Sequence, residues 1–363
     1  MTTPTMAADL RGEAAPLLKR VRAEAFPVLR EEIARISAQD ERLGWIAGYH
    51  LGWNEADGSP GNGDHGGRTV TLVLTALAAE AAGAPADEAL AAAVAMELAK
   101  DFIQLQDDVI DNDPIRRERA SAWQAFGVGA ALLGADALRH QAMDVLARHR
   151  PHGLAAAWHL QETLGRVVAG QARDLSFEQR PWSGAGKVTL AEYRAMATMK
   201  TSPLFECVLS LGAVLHGAPS TLVADLIEAG RNFGLACQAL DDILDLWGSP
   251  DPRDNFNDLR QGKKTLPILA ALATDTTAAR QLERLLERLP DEPQLELFQE
   301  AADLAEAAGG RFITEQQARG HYQAAVARLS ALPLPQRRRT ELITVSSLFG
   351  LRGHNETIMV GSV

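Results

Sequence analysis

Aspartates occur in two matching groups, Asp107-Asp108-Val109-Ile110-Asp111 and Asp241-Asp242-Ile243-Leu244-Asp245. On a helix, residues four apart stand about 6 Å apart along the axis, so Asp107 and Asp111 share a face with Asp108 beside them. That stripe runs further back, with Lys100, Gln104, Asp107, Asp108 and Asp111 at i, i+4, i+7, i+8 and i+11. Leu98, Phe102, Leu105 and Val109 form a separate apolar stripe. In the second group Gln238, Asp241, Asp242 and Asp245 again share a face, while Leu240, Ile243 and Leu244 point elsewhere. Three carboxylates on one helical face repel one another unless something positive arrives. One such group alone reads most simply as a solvated acidic face; two copies inside apolar helices favour a hard divalent cation. Magnesium takes a few carboxylate oxygens together with waters and phosphate oxygens, so two facing acidic stripes suit several ions around a diphosphate.

Cations follow both groups. Arg116 and Arg117 come directly after Pro114, where a guanidinium fork can bind phosphate oxygens in pairs. Lys200-Thr201 follows a helical run, and Gly262-Lys263-Lys264-Thr265 closes the loop after the second acidic group. Singly, each is an ordinary solubility group. Their order relative to the aspartates ties them to the same anion.

These side chains need helices to hold them, and the sequence supplies little else. Apolar residues recur at i, i+3, i+4 and i+7 with abundant alanine, so the fold class is all-α. The first acidic helix is expected to start after Pro85 and to end at Pro114. Gly52 to Gly67, Pro181 to Gly186 and Gly248 to Gly262 read as loops, and Thr189 with Glu192 as a capping box restarting a helix. Long helices joined by a few such loops predict a single large antiparallel bundle around a central cavity. Residues 1–19 read as an N-terminal polar segment, 20–351 as the helical domain and 352–363 as a C-terminal tail.

Composition narrows the function. Of 363 residues 46% are hydrophobic, enough for a sizeable core, and the formal net charge of −11 argues against a nucleic-acid partner. No signal-peptide pattern opens the chain, and Glu80, Asp87, Glu88 and Glu97 interrupt the Ala/Leu-rich stretches before they reach spanning length, so a cytoplasmic protein without a membrane span is expected. The cysteines, Cys207 and Cys237, lie in apolar helical sequence and read as buried thiols. The histidines show no metal-ligand spacing.

From about Arg20 to Leu351 the chain resembles the trans-prenyl diphosphate synthases, also called polyprenyl synthetases. The resemblance rests on Asp107 to Arg117 (DDVIDNDPIRR), Gly170-Gln171 with Asp174, Lys200-Thr201 before Leu204-Phe205, Gln238 to Asp245 (QALDDILD) and Asp258 to Pro267 (DLRQGKKTLP), all in family order. It implies an isoprenoid-synthase bundle whose Asp-rich helices face each other over a cavity, normally as a homodimer. It assigns Asp107, Asp111, Asp241 and Asp245 to Mg2+, with Asp108 and Asp242 in support and about three ions around a bound diphosphate. Arg116, Lys200 and Lys263 fall to the allylic diphosphate, and Arg117 to isopentenyl diphosphate. Thr201 and Gln238 would stabilise the carbocation by dipole. Pyrophosphate itself would take the released proton.

One stretch departs from the family pattern. Where chain-elongating members carry Gly-Lys-Arg-x-Arg-Pro, this chain has Gly67-Arg68-Thr69-Val70-Thr71-Leu72. Arg68 replaces a lysine, Thr71 stands where an arginine would grip isopentenyl diphosphate, and Lys100 occupies a usual His or Gln position. Three readings follow. The leading one is an elongating prenyltransferase that still holds isopentenyl diphosphate through Arg68, Lys100 and Arg117. Another is a terpene cyclase, or a transferase to a different acceptor. A third is a non-catalytic partner subunit, against which the intact pair of acidic motifs speaks. By the same resemblance Phe102, five residues before Asp107, is expected to limit the tail to a C15 to C20 product while Ile103 leaves the adjacent position less crowded; Phe102 reads equally well as ordinary core.

Overall fold

Amphipathic segments of this composition fold by burying their apolar stripes against one another, and a computed structural model shows how. It describes residues 3–61, 69–251, 255–291 and 293–350, and within them the chain forms sixteen α-helices and one short hairpin. The first half runs α1 (Thr3–Gln39), α2 (Glu41–His50), α3 (Val70–Ala81), α4 (Ala86–Ile110), the hairpin β1 (Ile115–Arg116) and β2 (Arg119–Ala120), α5 (Ala122–Phe126), α6 (Val128–Ala147) and α7 (Gly153–Glu178). The second half runs α8 (Leu190–Lys200), α9 (Ser202–His216), α10 (Ser220–Trp247), α11 (Asn257–Arg260), α12 (Leu266–Leu272), α13 (Thr277–Arg288), α14 (Leu295–Ala307), α15 (Gly310–Ala331) and α16 (Gln336–Ser347). The all-α expectation holds. Helix α1 crosses residue 20 without a break, and the tail 352–363 lies outside the described residues.

Helix α4 carries the first acidic group. Pro85 precedes it, and Asp87 and Glu88 in its first turn complement the helix dipole. It packs against α3, α6 and α9. Helix α10 carries the second group and packs against α9 and α15. Helices α4, α6, α7 and α9 pack pairwise in a closed ring. The main core fills this part of the bundle, with Phe102, Leu98, Met96, Phe233 and Leu138 fully buried. A second cluster under α12, α13 and α14 buries Leu282, Leu286, Phe256 and Trp182 and supports the loop between α10 and α12.

Two local features matter for the site. The predicted capping box is present: Thr189 accepts from the Glu192 backbone N–H, and Glu192 accepts from the Thr189 backbone N–H. Helices α8 and α9 are one helical run interrupted at Thr201, because Pro203 near the start of α9 has no N–H to continue the ladder. The interruption leaves Lys200 at a helix end. Cys207 and Cys237 are buried thiols outside any disulfide, as expected. No helix among the described residues is long and apolar enough to cross a membrane.

Candidate active site

The last turn of α4 sets out the first acidic group differently from the simple stripe. The helix ends at Ile110, with Asp111 as its C-cap, rather than at Pro114. Asn112 then turns the chain with a positive φ of 53°, a conformation Asn tolerates better than most residues. Asp107 stays on the working face. Asp108 is turned inward and buried, where Arg116 binds one of its oxygens through Nε at 2.7 Å and through a terminal nitrogen. It therefore orients Arg116. Asp111 accepts from Lys263 Nζ at 3.0 Å through Oδ2, while its Oδ1 is buried with no hydrogen-bond partner.

The second group is arranged by the same physics. Asp242 is buried and accepts from Tyr193 Oη at 2.6 Å, Gln238 Nε2 at 2.8 Å and the Leu266 backbone N–H at 2.7 Å. Those donors fix the register of α10 against α8 and α12. Asp241 lies exposed on the working face. Asp245 accepts from the Asp258 backbone N–H at 3.0 Å through Oδ1, and its Oδ2 is buried without a partner. Removing one donor from buried Asp242 by Tyr193→Phe is expected to destabilise the fold by about 1–3 kcal/mol. Thermal melting checks this, and an unchanged melting temperature contradicts it.

Lysines join the two groups. Lys263 reaches Asp111 of the first and, at 3.2 Å, Asp258 beside the second. Gln261 adds a bond from Nε2 to the Asp111 backbone carbonyl at 3.1 Å. Lys200 pairs with Asp174 of α7 at 2.5 Å, and its charge also reaches Asp107. Gly170 is what lets α7 come so close: a Cβ there would stand 2.3 Å from the Lys200 backbone nitrogen. Gly234 plays the same part on α10, where a Cβ would stand 2.6 Å from Ser202 Cα. Thr201 donates its hydroxyl to Gln238 Oε1, so both sit at one level beneath the aspartates.

At the other end of the mouth the hairpin carries Arg117. Arg117 and Glu118 have φ of 54° and 63°, a two-residue turn normally built with Asn and Gly. Left-handed backbone of this kind costs about 1–2 kcal/mol per residue and is held here by specific bonds. Arg117 donates to the His50 carbonyl at 2.9 Å and to Gln104 Oε1 at 3.0 Å, and lies 3.5 Å from Asp101. Lys100 departs from the expected polar stripe. It is buried, paired with Glu97 and 3.3 Å from Asp101, because a buried ammonium requires a counter-charge on its own side of the helix. Thr71 is buried and its carbonyl accepts from Thr75. Arg68 lies outside the described residues.

Burial pushes the Asp107 carboxyl up to about 6 and those of Asp242 and Asp245 up to about 7, with Asp111 adding to the effect at Asp107 and Asp258 at Asp245. Raised folded-state values mean that the metal-free protein binds more protons than the unfolded chain between about pH 4 and 7. Its stability contribution from these groups is present below about pH 4 and lost as pH rises through 6 to 7. A divalent cation binds the deprotonated form, so the stabilisation it confers must grow over the same interval. The gain in melting temperature from Mg2+ plus pyrophosphate is therefore expected to be larger at pH 8 than at pH 5.5; an equal gain at both contradicts the assignment.

The unpartnered oxygens of Asp111 and Asp245 fit a hard cation that completes its shell with water and phosphate. Among the described residues no three His, Cys, Asp or Glu side chains converge tightly enough to hold a metal unaided. The polyprenyl synthetase family model matches residues 61–303, a span that includes both acidic groups and Lys200 and Lys263. The chain belongs to the polyprenyl synthetase family. Similar proteins include the (2E,6E)-farnesyl diphosphate synthase of Mycobacterium tuberculosis, 34% identical over 90% of both chains, and the geranylgeranyl diphosphate synthase of the same organism, 36% identical over 92% of both. The crystal structure of a polyprenyl synthetase from Streptomyces coelicolor superposes with a TM-score of 0.83 at 35% identity, covering 93% of this chain and 99% of that one.

In this polyprenyl synthetase the structure brings together Asp107, Asp111, Asp245, Lys200 and Lys263, with Thr201 and Gln238 beneath them. Arg117 and Lys100 form a separate network. Phe102 is buried and Ile103 half-buried against the core. Tyr193, Asp101 and Glu97 are polar anchors that motif spacing leaves out: each acts on a site residue through a contact set by the tertiary fold or by its own burial.

Proposed function

We propose that this polyprenyl synthetase is a prenyltransferase that ionises an allylic diphosphate with Mg2+ and condenses it with isopentenyl diphosphate, giving a trans-prenyl diphosphate of C15 to C20. The observation that carries the reading is Lys263, which bridges Asp111 at the end of the first acidic helix to Asp258, whose backbone N–H in turn binds Asp245 of the second, while one oxygen each of Asp111 and Asp245 stays unpartnered. Asp107, Asp111, Asp241 and Asp245 would hold magnesium, which supplies Lewis-acid neutralisation of the departing pyrophosphate. Lys200 and Lys263 donate to the same oxygens as charge builds on them. The allylic C–O bond breaks with its electron pair on pyrophosphate. The isopentenyl double bond supplies the pair for the new C–C bond, and the proton then lost goes to a pyrophosphate oxygen, so no His or Cys base is required. Thr201 and Gln238, locked to each other, present oxygen dipoles beneath the cation. Arg117 and Lys100 hold the second diphosphate, with Arg68 as a third cation expected from sequence. Exposed Leu132, Leu133, Leu154, Trp158 and Val168 along α6 and α7 support a homodimer that covers them.

A second reading has one observation in its favour. Lys100 and Arg117 are already balanced by Glu97 and Asp101, which weakens the acceptor end as an anion site and suits a cyclase or a transferase to a different acceptor. One assay separates the two. The protein and Mg2+ are incubated with dimethylallyl, geranyl, farnesyl or geranylgeranyl diphosphate, each with and without isopentenyl diphosphate, and hydrocarbons and dephosphorylated alcohols are analysed. Longer alcohols that appear only with isopentenyl diphosphate are expected. Hydrocarbons from a single substrate overturn elongation in favour of cyclisation, and no product from any pair overturns both.

A further inference from the structure

Next to Lys263 stands a lysine that the proposed chemistry leaves unused. Lys264 is 2% exposed, and its partners are carbonyls and a ring rather than a carboxylate. The ammonium donates to the Gly262 carbonyl at 2.7 Å and to the carbonyl of Glu178, the last residue of α7, at 3.4 Å. It also lies 4.0 Å from the centroid of the Trp182 ring, a cation–π contact that loss of water strengthens. Burial lowers its pKa to about 8, with Glu178 opposing the shift and Arg180 adding to it, so it is charged at pH 7. Burying an ammonium costs free energy that its contacts must offset.

Those contacts bear on the lysine beside it. The 262–265 segment brings Lys263 to Asp111 and Asp258. Its far end is fixed where the Leu266 backbone N–H donates to Asp242. At its near end Gly262 turns the chain with a φ of 76°, and a Cβ there would stand 3.6 Å from the Glu178 carbonyl oxygen, so the turn rests against the end of α7. Lys264 closes that contact. Glu178 follows Asp174, the partner of Lys200, by about one helical turn. The same ammonium therefore joins the helix that orients Lys200 to the segment that bears Lys263, and Asp174, Lys200, Asp258, Lys263 and Lys264 line one cavity. We propose that Lys264 is a positioning residue that pins the 262–265 segment to the end of α7 and so holds Lys263 where the departing pyrophosphate needs a donor. The inference rests on the prenyltransferase reading and adds to it a residue outside the reacting groups.

A donor displaced by about 1 Å from outside the chemistry can cost up to about 10²-fold in rate. Lys264→Met keeps the stem on Trp182 and removes the ammonium; Lys264→Gln keeps an amide N–H on a shorter stem. At pH 7 Lys264→Met is expected to lower kcat by about 10–10²-fold and to weaken binding of pyrophosphate with Mg2+, read by calorimetry, by about tenfold. Lys264→Gln should fall between it and wild type. A residue that acts through Lys263 has nothing left to position once Lys263 is gone. In the Lys263→Met background, Lys264→Met is therefore expected to change kcat and pyrophosphate affinity by less than about twofold. A loss of the same size in both backgrounds overturns the proposal, because a purely structural role is indifferent to Lys263. Unchanged rate and affinity in the single variants overturn it too, as does failure of both Lys264 variants to fold, since the residue is then part of the core. A wild-type enzyme that makes no product from any substrate sinks the prenyltransferase reading instead, and the pyrophosphate calorimetry then still decides the role of Lys264.

Discussion

Asp111→Asn is expected to lower kcat by about 10²–10³-fold, the loss seen when one preorganised group that stabilises developing charge is removed. The substitution keeps the shape of the side chain and an oxygen for Lys263, which retains Asp258 as a second partner, so the fold should survive. What disappears is the charge behind Oδ1, a buried oxygen with no donor of its own. The loss should appear in kcat and kcat/KM together, because the interaction strengthens as the C–O bond breaks. Asp108→Asn supplies the contrast. That carboxylate faces Arg116, so its loss acts on the grip on diphosphate and should leave the Mg2+ dependence of the rate unchanged. Steady-state kinetics over a range of Mg2+ concentrations checks both. If Asp111→Asn stays within a few-fold of wild type, the carboxylate is not at the reacting charge.

Lys263→Met is the second large effect. The ammonium is surrounded by Asp111 and Asp258, and these carboxylates raise its pKa against the opposing effect of burial. Without it, Asp111 and Asp258 lose their shared counter-charge, and the departing pyrophosphate loses a donor. We expect kcat to fall by about 10²–10³-fold. The melting temperature of the metal-free protein at pH 8 should fall as well, and Mg2+ with pyrophosphate should restore most of that loss. Joint rescue separates an electrostatic role from a packing one, since a cavity left by a missing alkyl stem is indifferent to metal. A stability loss that metal and pyrophosphate do not reverse contradicts the assignment.

Much of the site was readable from spacing because helices translate sequence distance into faces. Asp107 with Asp111, and Gln238 with Asp242, stand where a period of 3.6 residues puts them, and Thr189 with Glu192 caps a helix as its types require. What spacing does not reveal is which member of a stripe turns inward. Asp108 and Asp242 carry the same local signal as Asp107 and Asp241, yet each is buried on a donor supplied from elsewhere, Arg116 in one case and Tyr193 in the other. The Lys100 position shows the same limit. Its polarity suits a working face, but Glu97 and Asp101 on the same side of α4 draw it into the interior. The hairpin at Arg117 gave no turn signal, because Arg and Glu are poor choices for two positive φ values; the bonds to His50 and Gln104 hold it.

Gly170 and Gly234 were visible as residues but not as reasons. Each removes a Cβ where two backbones meet, and that contact exists only once α7 and α10 have packed against the break between α8 and α9.

On the proposed function, the two carboxylate-bearing helix ends share magnesium only when a diphosphate lies between them. Calorimetric titration of Mg2+ into the protein, with and without an allylic diphosphate analogue that cannot ionise, tests it most directly. Weak uptake by the protein alone and much tighter uptake with the analogue are expected, with that gain lost in both Asp111→Asn and Asp245→Asn. Equally tight Mg2+ binding with and without the analogue, or a gain that survives both substitutions, would contradict it.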